Sequence, residues 1–361
     1  MSNPCNDAPV LVEFQRGGAD RIETQHRGAI AVVDPSGHLI WHTGDASRAY
    51  ALRSTAKPFQ LLPLLLDGLH TEPDEDTPLT LADLAVMMSS HNGENMHTER
   101  IAALLSRFGV DQDALQCGAQ APALRADKER LVRAGEQASP LHCNCSGKHT
   151  NMLAVCKRRG WALESYLDLE HPLQIRIRDI LLSLVGQAHM AVPHSIDGCS
   201  LPTFWLPLQA LAQLFAYIAD PTAAPNVEGR SIEAALTTLR TASTQHPELI
   251  AGSGRLDTLL MRAFGARLFT KTGAAGLYAA AIPAGPRVPT PLGIAIKIED
   301  GDPQSRIRAS VMVEVLRQLA VVTHEDTALW NSLDDIAHPV ERNFRGLEVG
   351  AYVPVFRLQK D

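Results

Sequence analysis

Arg53-Ser54-Thr55-Ala56-Lys57-Pro58 sets a serine and a lysine at i and i+3, which face the same side of a helical turn. A lysine amine held against a serine hydroxyl, and neutral at the moment of reaction, can take the hydroxyl proton and leave an alkoxide-like nucleophile. Pro58 suits the start of a helix, where its missing N–H costs nothing. A helix start also aims positive partial charge at the nucleophile. Alone the spacing is a weak signal, since four-residue patterns of common residues arise by chance, and a solvated surface helix explains it as well.

Two further strings give it weight. Ser90-His91-Asn92 follows an apolar helical pattern, and Phe269-Thr270-Lys271-Thr272-Gly273 lies among short apolar stretches late in the chain. The order Ser-x-x-Lys, Ser-x-Asn, Lys-Thr-Gly is that of serine β-lactamases and penicillin-binding proteins. In that plan the Lys-Thr-Gly strand lines the cleft opposite the nucleophile, its cation meeting a substrate carboxylate and its backbone helping to build an oxyanion site. The competing reading makes Lys271 an edge-strand guard against aggregation. The interval from Ser54 to Ser90 is shorter than that superfamily leads one to expect.

The same pattern places the elements around these strings. Arg27 to His42 reads as a hairpin of two apolar strands around Asp34-Pro35-Ser36-Gly37. Helices are expected from a Thr80 cap to Met88, from a Thr98 cap to near Gly109, and from a Ser146 cap to Gly160. Further helices are expected over 172–184, 206–219, 228–240, 255–264 and 305–320, with strands over 266–272, 276–283 and 293–299. A hairpin early and strands late predict one antiparallel sheet assembled from both ends of the chain and covered by helices from the middle. That is an α+β fold of layered α/β/α architecture. The chain reads as a single domain over residues 1–361, with two lobes an open alternative and residues 1–9 flexible. The stretch 219–225 is the best linker candidate, as a surface loop.

Composition narrows the function. Of 361 residues 45% are hydrophobic, which excludes a disordered chain. With 33 Lys+Arg against 40 Asp+Glu the net charge is −7, so no nucleic-acid partner held through phosphate neutralisation is expected. No apolar run reaches the ~18–20 residues that span a bilayer, and the first residues carry neither a basic start nor an apolar core, so a cytoplasmic location is expected. Six cysteines (Cys5, Cys117, Cys143, Cys145, Cys156 and Cys199) are then expected as thiols. His142-Cys143-Asn144-Cys145-Ser146-Gly147-Lys148-His149 and Asp197-Gly198-Cys199 offer soft donors in two loops, as zinc requires, but neither C-x-x-C nor H-E-x-x-H is present, and buried metal-free cysteines fit the spacing equally.

Taken together, Arg53–Pro58, Ser90-His91-Asn92-Gly93-Glu94, Asn144–His149, Asp197-Gly198-Cys199 and His246-Pro247-Glu248-Leu249-Ile250-Ala251-Gly252 resemble the Rhizobium etli-type L-asparaginases, from roughly Val10 to the end of the chain. The resemblance implies hydrolysis of L-asparagine to L-aspartate and ammonia, a fold related to serine β-lactamases, and a homodimer. It implies two catalytic Ser–Lys pairs, Ser54 with Lys57 and Ser90 with Lys271. It implies one zinc ion per chain held by Cys145, Lys148 and Cys199 with a water, and His149 and Asp197 around it. As substrate-binding residues it points to Arg53, His149 and Asp197. Some relatives carry a cysteine where this chain has Asp257. A β-lactamase-like serine hydrolase and a catalytically inactive zinc-binding relative are the alternatives.

Overall fold

The computed structural model describes residues 7–71, 78–187, 190–323 and 325–361. Cys5 and most of the segment expected to be flexible lie outside them; Pro9 O accepts from Gly28 N at 3.1 Å. The chain forms two compact units, one made of Met1–Tyr50, Leu206–Ala223 and Thr270–Asp361, the other of Ala51–Trp205 and Ala224–Phe269. The linker candidate 219–225 contains one of the crossings between them.

The first unit is built on the antiparallel sheet that the sequence predicts from both chain ends. Its strands run in the order Val340–Arg342, Glu348–Pro354, Val10–Gln15, Ile22–Val33, Leu292–Ile298, Leu277–Ile282, Phe269–Thr272. Leu39–Thr43 completes the expected hairpin with Ile22–Val33. Asp34 Oδ1 closes its turn by accepting from the backbone N–H groups of Ser36 and His38 at 2.9 and 3.0 Å, and Gly37 takes φ +86°.

Cross-strand partners share a face, and the two faces of this sheet differ in size. Gly293, Ala295, Ala31, Ala279 and Ala281 line one, Ile30, Val32, Ile294 and Ile296 the other. The small face receives the helix Leu208–Ala219, whose backbone comes so close that a Cβ on Gly293 would stand 1.9 Å from Ala212 O. Ile307–Gln318 packs against Leu292–Ile298, Val10–Gln15 and Glu348–Pro354, and carries Thr327–Ala337 outside it. Helix, sheet and helix are therefore layered as expected, although most mid-chain helices build the second unit instead of covering the sheet. The elements from Thr327 onward go beyond the sequence reading, because their strands are short and interrupted by Gly350 and Pro354.

The second unit is mostly helical, and several starts differ from expectation. Thr80 caps Leu81–Met87 in a reciprocal box with Asp83. Thr98 does not begin a helix: its hydroxyl bonds back to Asn95 O inside Asn95–Arg107. Ser146 is the first residue of Ser146–Arg159 and not its cap, because its Oγ donates to Leu141 O at 2.9 Å. The helix expected at 228 begins at Glu233: Glu228 takes φ +51° and pairs with Arg176 and Arg230, while Ser231 Oγ receives Glu233 N–H.

Among the described residues no helix is long and apolar enough to cross a membrane.

Because the atom opposing Gly293 is backbone, Gly293→Ala forces helix and sheet apart. We expect a loss of about 1–3 kcal/mol in urea unfolding; an unchanged midpoint would contradict the close approach.

Candidate active site

The Arg53–Lys57 string folds as a tight 3₁₀ turn, Arg53–Ala56, running into the short helix Lys57–Gln60, with Pro58 in its first turn. Arg53 enters at φ +49°, strained for a side-chain-bearing residue, and its N–H is taken by Thr203 Oγ1 at 3.0 Å. The turn delivers Lys57 into the interior, where it is fully buried.

Its amine meets three acceptors: Ser89 O at 2.5 Å, Ser90 Oγ at 2.9 Å and Asn144 O at 3.2 Å. Lys57 thus bonds Ser90, the serine of the second motif. Ser54 makes no side-chain hydrogen bond among the described residues, and its oxygen is free to meet a substrate. Lys271 is buried in its strand, with Nζ donating to Thr272 O at 3.2 Å.

The Ser90–Glu94 string is held by the His246–Gly252 string and the residues after it. Ser90 N donates to Ile250 O at 2.8 Å. Asn92 donates to Ser253 O and accepts from Arg255, while Glu94 takes Ser253 N and Oγ at 2.8 and 2.7 Å. Gly252, at φ +113°, has no room for a side chain: a Cβ would lie 2.6 Å from the Asn92 amide. His91 Nδ1 receives Gly93 N–H, so Nε2 carries the ring proton and gives it to Ser146 Oγ at 2.9 Å. His91 stacks on His97 at 4.8 Å. Burial lowers the pKa of both rings, the more so for His91, which also faces His97 and Lys57.

Ser146–Arg159 starts close to this lysine because Gly147 allows it. A Cβ there would stand 1.9 Å from Val86 O. Lys148 is fully buried with Nζ 3.1 Å from Cys199 Sγ. The Cys145 thiol lies well below its usual pKa, stabilised by hydrogen bonds from Cys143 and Cys199 and by Lys148; the thiols of Cys143 and Cys199 are correspondingly raised. Burial works against the Lys148 cation, but the negative groups around it, Cys145 foremost, outweigh it and its pKa rises. Cys145, Lys148 and Cys199 therefore converge, and two sulfurs with one nitrogen are donors that suit zinc once the amine gives up its proton. No cluster of three or more His, Cys, Asp or Glu side chains fit for a metal occurs among the described residues. All five described cysteines are free thiols.

Arg53 and Asp197, both expected to bind substrate, pair with each other: Nε donates to Asp197 Oδ1 at 2.6 Å, and Gly198 N donates to the same oxygen at 2.8 Å. His149 is fully buried, with Nδ1 2.6 Å from Tyr166 Oη. Asp257 is buried in Leu256–Phe264. Sequence reasoning missed Asn144 O, Ser89 O and Thr203, which act through position and not through any motif letter, and Tyr166, a lone tyrosine in a loop.

The model of the L-asparaginase II family matches residues 12–354. The chain belongs to the L-asparaginase II family. It is accordingly a hydrolase acting on amides. No curated protein matches the chain. Among solved structures it is similar to a Bacillus subtilis glutaminase (14% identity, 84% of this chain and 92% of that one, TM-score 0.35). It is also similar to β-lactamases from Sphaerobacter thermophilus (14%, 82% and 92%, 0.42) and Desulfarculus baarsii (15%, 81% and 92%, 0.36).

The neutral His91–His97 stack carries a pH dependence. Folded pKa values below the ordinary 6.5 mean that the unfolded chain binds more protons in acid, so this contribution is complete above about pH 6.5 and is lost as pH falls below it. In urea unfolding at pH 7.5 and 5.5, His97→Gln, which keeps a donor for Glu248 O, should lose less stability on acidification than the parent. Equal losses would mean that His97 does not titrate differently on folding.

Proposed function

We propose that this amidohydrolase converts L-asparagine to L-aspartate and ammonia through an acyl-enzyme on Ser54, with Lys57 and Ser90 moving the proton. The observation that carries the reading is the 2.9 Å contact between the buried Lys57 amine and Ser90 Oγ. A neutral lysine amine has two N–H donors and one lone pair. Ser89 O and Asn144 O take the two donors, which leaves the lone pair for a serine hydroxyl. Lys57 is thus arranged to accept a proton in one fixed direction, as general-base work requires.

Ser54 Oγ attacks the side-chain carbonyl carbon, and its proton passes into the Lys57–Ser90 pair. Backbone N–H groups near the nucleophile would hold the tetrahedral oxyanion. The same pair returns the proton to the departing nitrogen, so ammonia leaves and an aspartyl ester remains; water, deprotonated by Lys57, then releases aspartate. Lys271 is assigned to the second Ser–Lys pair with Ser90. Arg53 and Asp197, released from each other by a zwitterion, match its α-carboxylate and α-amino groups. Cys145, Lys148 and Cys199 would hold zinc, which when bound supplies Lewis-acid polarisation. A cytoplasmic homodimer, with the whole chain acting as one asparaginase domain, completes the proposal.

Ammonia release from asparagine, glutamine and β-aspartyl dipeptides tests the substrate, with asparagine expected to dominate. Ser54→Ala and Lys57→Met should each cost at least about 10³-fold in kcat while the protein stays folded, since nucleophile and base act as a unit. A folded Ser54→Ala that keeps more than a few per cent of activity would move the nucleophile to Ser90.

Elemental analysis of protein purified without chelator should find about one zinc per chain, and Cys199→Ala should lose most of it. Full zinc in that variant would remove Cys199 from the site.

A further inference from the structure

Tyr166 is fully buried and its hydroxyl has two partners: Gln116 N at 3.0 Å and His149 Nδ1 at 2.6 Å, the rings meeting edge to face at 5.5 Å. The backbone N–H can only donate, so the tyrosine oxygen is an acceptor towards Gln116 and its own proton is left for the histidine. His149 is fully buried. A neutral ring that accepts at Nδ1 carries its proton on Nε2. That Nε2 is a buried polar atom with no hydrogen-bond partner among the described residues. An orphan buried donor is costly unless an acceptor comes to it.

We propose that Tyr166 is a positioning residue: it locks His149 in the Nε2–H tautomer, so that a ready-made donor waits for an acceptor oxygen of the bound substrate. This rests on the reading of the site as an asparaginase in which His149 binds substrate. Tyr166 itself touches no substrate. Gln174 Nε2 donates to Tyr166 O at 2.8 Å, so Tyr166→Phe keeps that bond while it removes the hydroxyl from both His149 and Gln116 N.

The first arm of the test uses the free protein and needs no activity. Long-range ¹H–¹⁵N NMR should show His149 as the single Nε2–H tautomer in the parent and as a mixture in Tyr166→Phe. A mixture in the parent, or an unchanged single tautomer in the variant, would overturn the lock. The second arm reads asparagine hydrolysis. Tyr166→Phe should lower kcat/KM about tenfold or more, and in a His149→Gln background the same substitution should change it less than twofold. Losses that multiply in the double variant would show that Tyr166 acts through the fold and not through His149. Absence of asparaginase activity in the parent would sink the reading of the function while leaving the tautomer measurement standing.

Discussion

A lysine amine shut away from water is tolerated only where acceptors surround it, and Lys57 obtains three from two distant stretches of chain. Ser89 and Ser90 bring one pair of oxygens, the loop before Ser146 brings the third, and each stretch is itself fixed by a backbone approach that admits no side chain. Gly147 lets the Ser146–Arg159 helix close on Val86, and Gly252 lets the His246–Gly252 segment close on Asn92. The strained entry at Arg53 aims the amine inward and leaves Ser54 outside the hydrogen-bonded set. Removing any of these approaches would disturb an acceptor of the buried amine.

The cysteine cluster obeys the same electrostatics with the opposite sign. Cys145 sits between two thiol donors and the Lys148 cation, so a buried negative charge is stabilised one turn away from a buried positive one. For Cys145, Lys148 and Cys199 to hold a divalent cation, the protons of both Lys148 and Cys199 would have to leave.

Much of this was legible in the sequence. The run Gly28-Ala-Ile-Ala-Val-Val33 and the turn at Asp34–Gly37 declared a buried strand and a hairpin, and the late apolar stretches declared its neighbours. The motif strings named Lys57, Ser90, Cys145, Lys148 and Cys199, which the structure gathers into two clusters. What escaped was whatever depends on distance through space. Spacing at i and i+3 suggested that Lys57 faces Ser54, whereas its hydrogen bond crosses to Ser90, because the turn is 3₁₀ and the lysine is drawn towards carbonyls that no side-chain letter announces. Helix starts at Thr98 and Ser146 misled for a related reason: both hydroxyls bond to carbonyls instead of capping. Tyr166 carried no signal, since its importance lies in which hydrogen its oxygen is free to give.

The central claim is that Ser54 becomes acylated while the Lys57–Ser90 pair handles the proton. Acid-quenched mass spectrometry of the protein during turnover of asparagine tests it most directly. The account predicts one aspartyl group, removable by mild base, on the peptide that contains Ser54. An adduct on Ser90 instead, or none in protein that is visibly releasing ammonia under conditions where the ester step limits turnover, would contradict it.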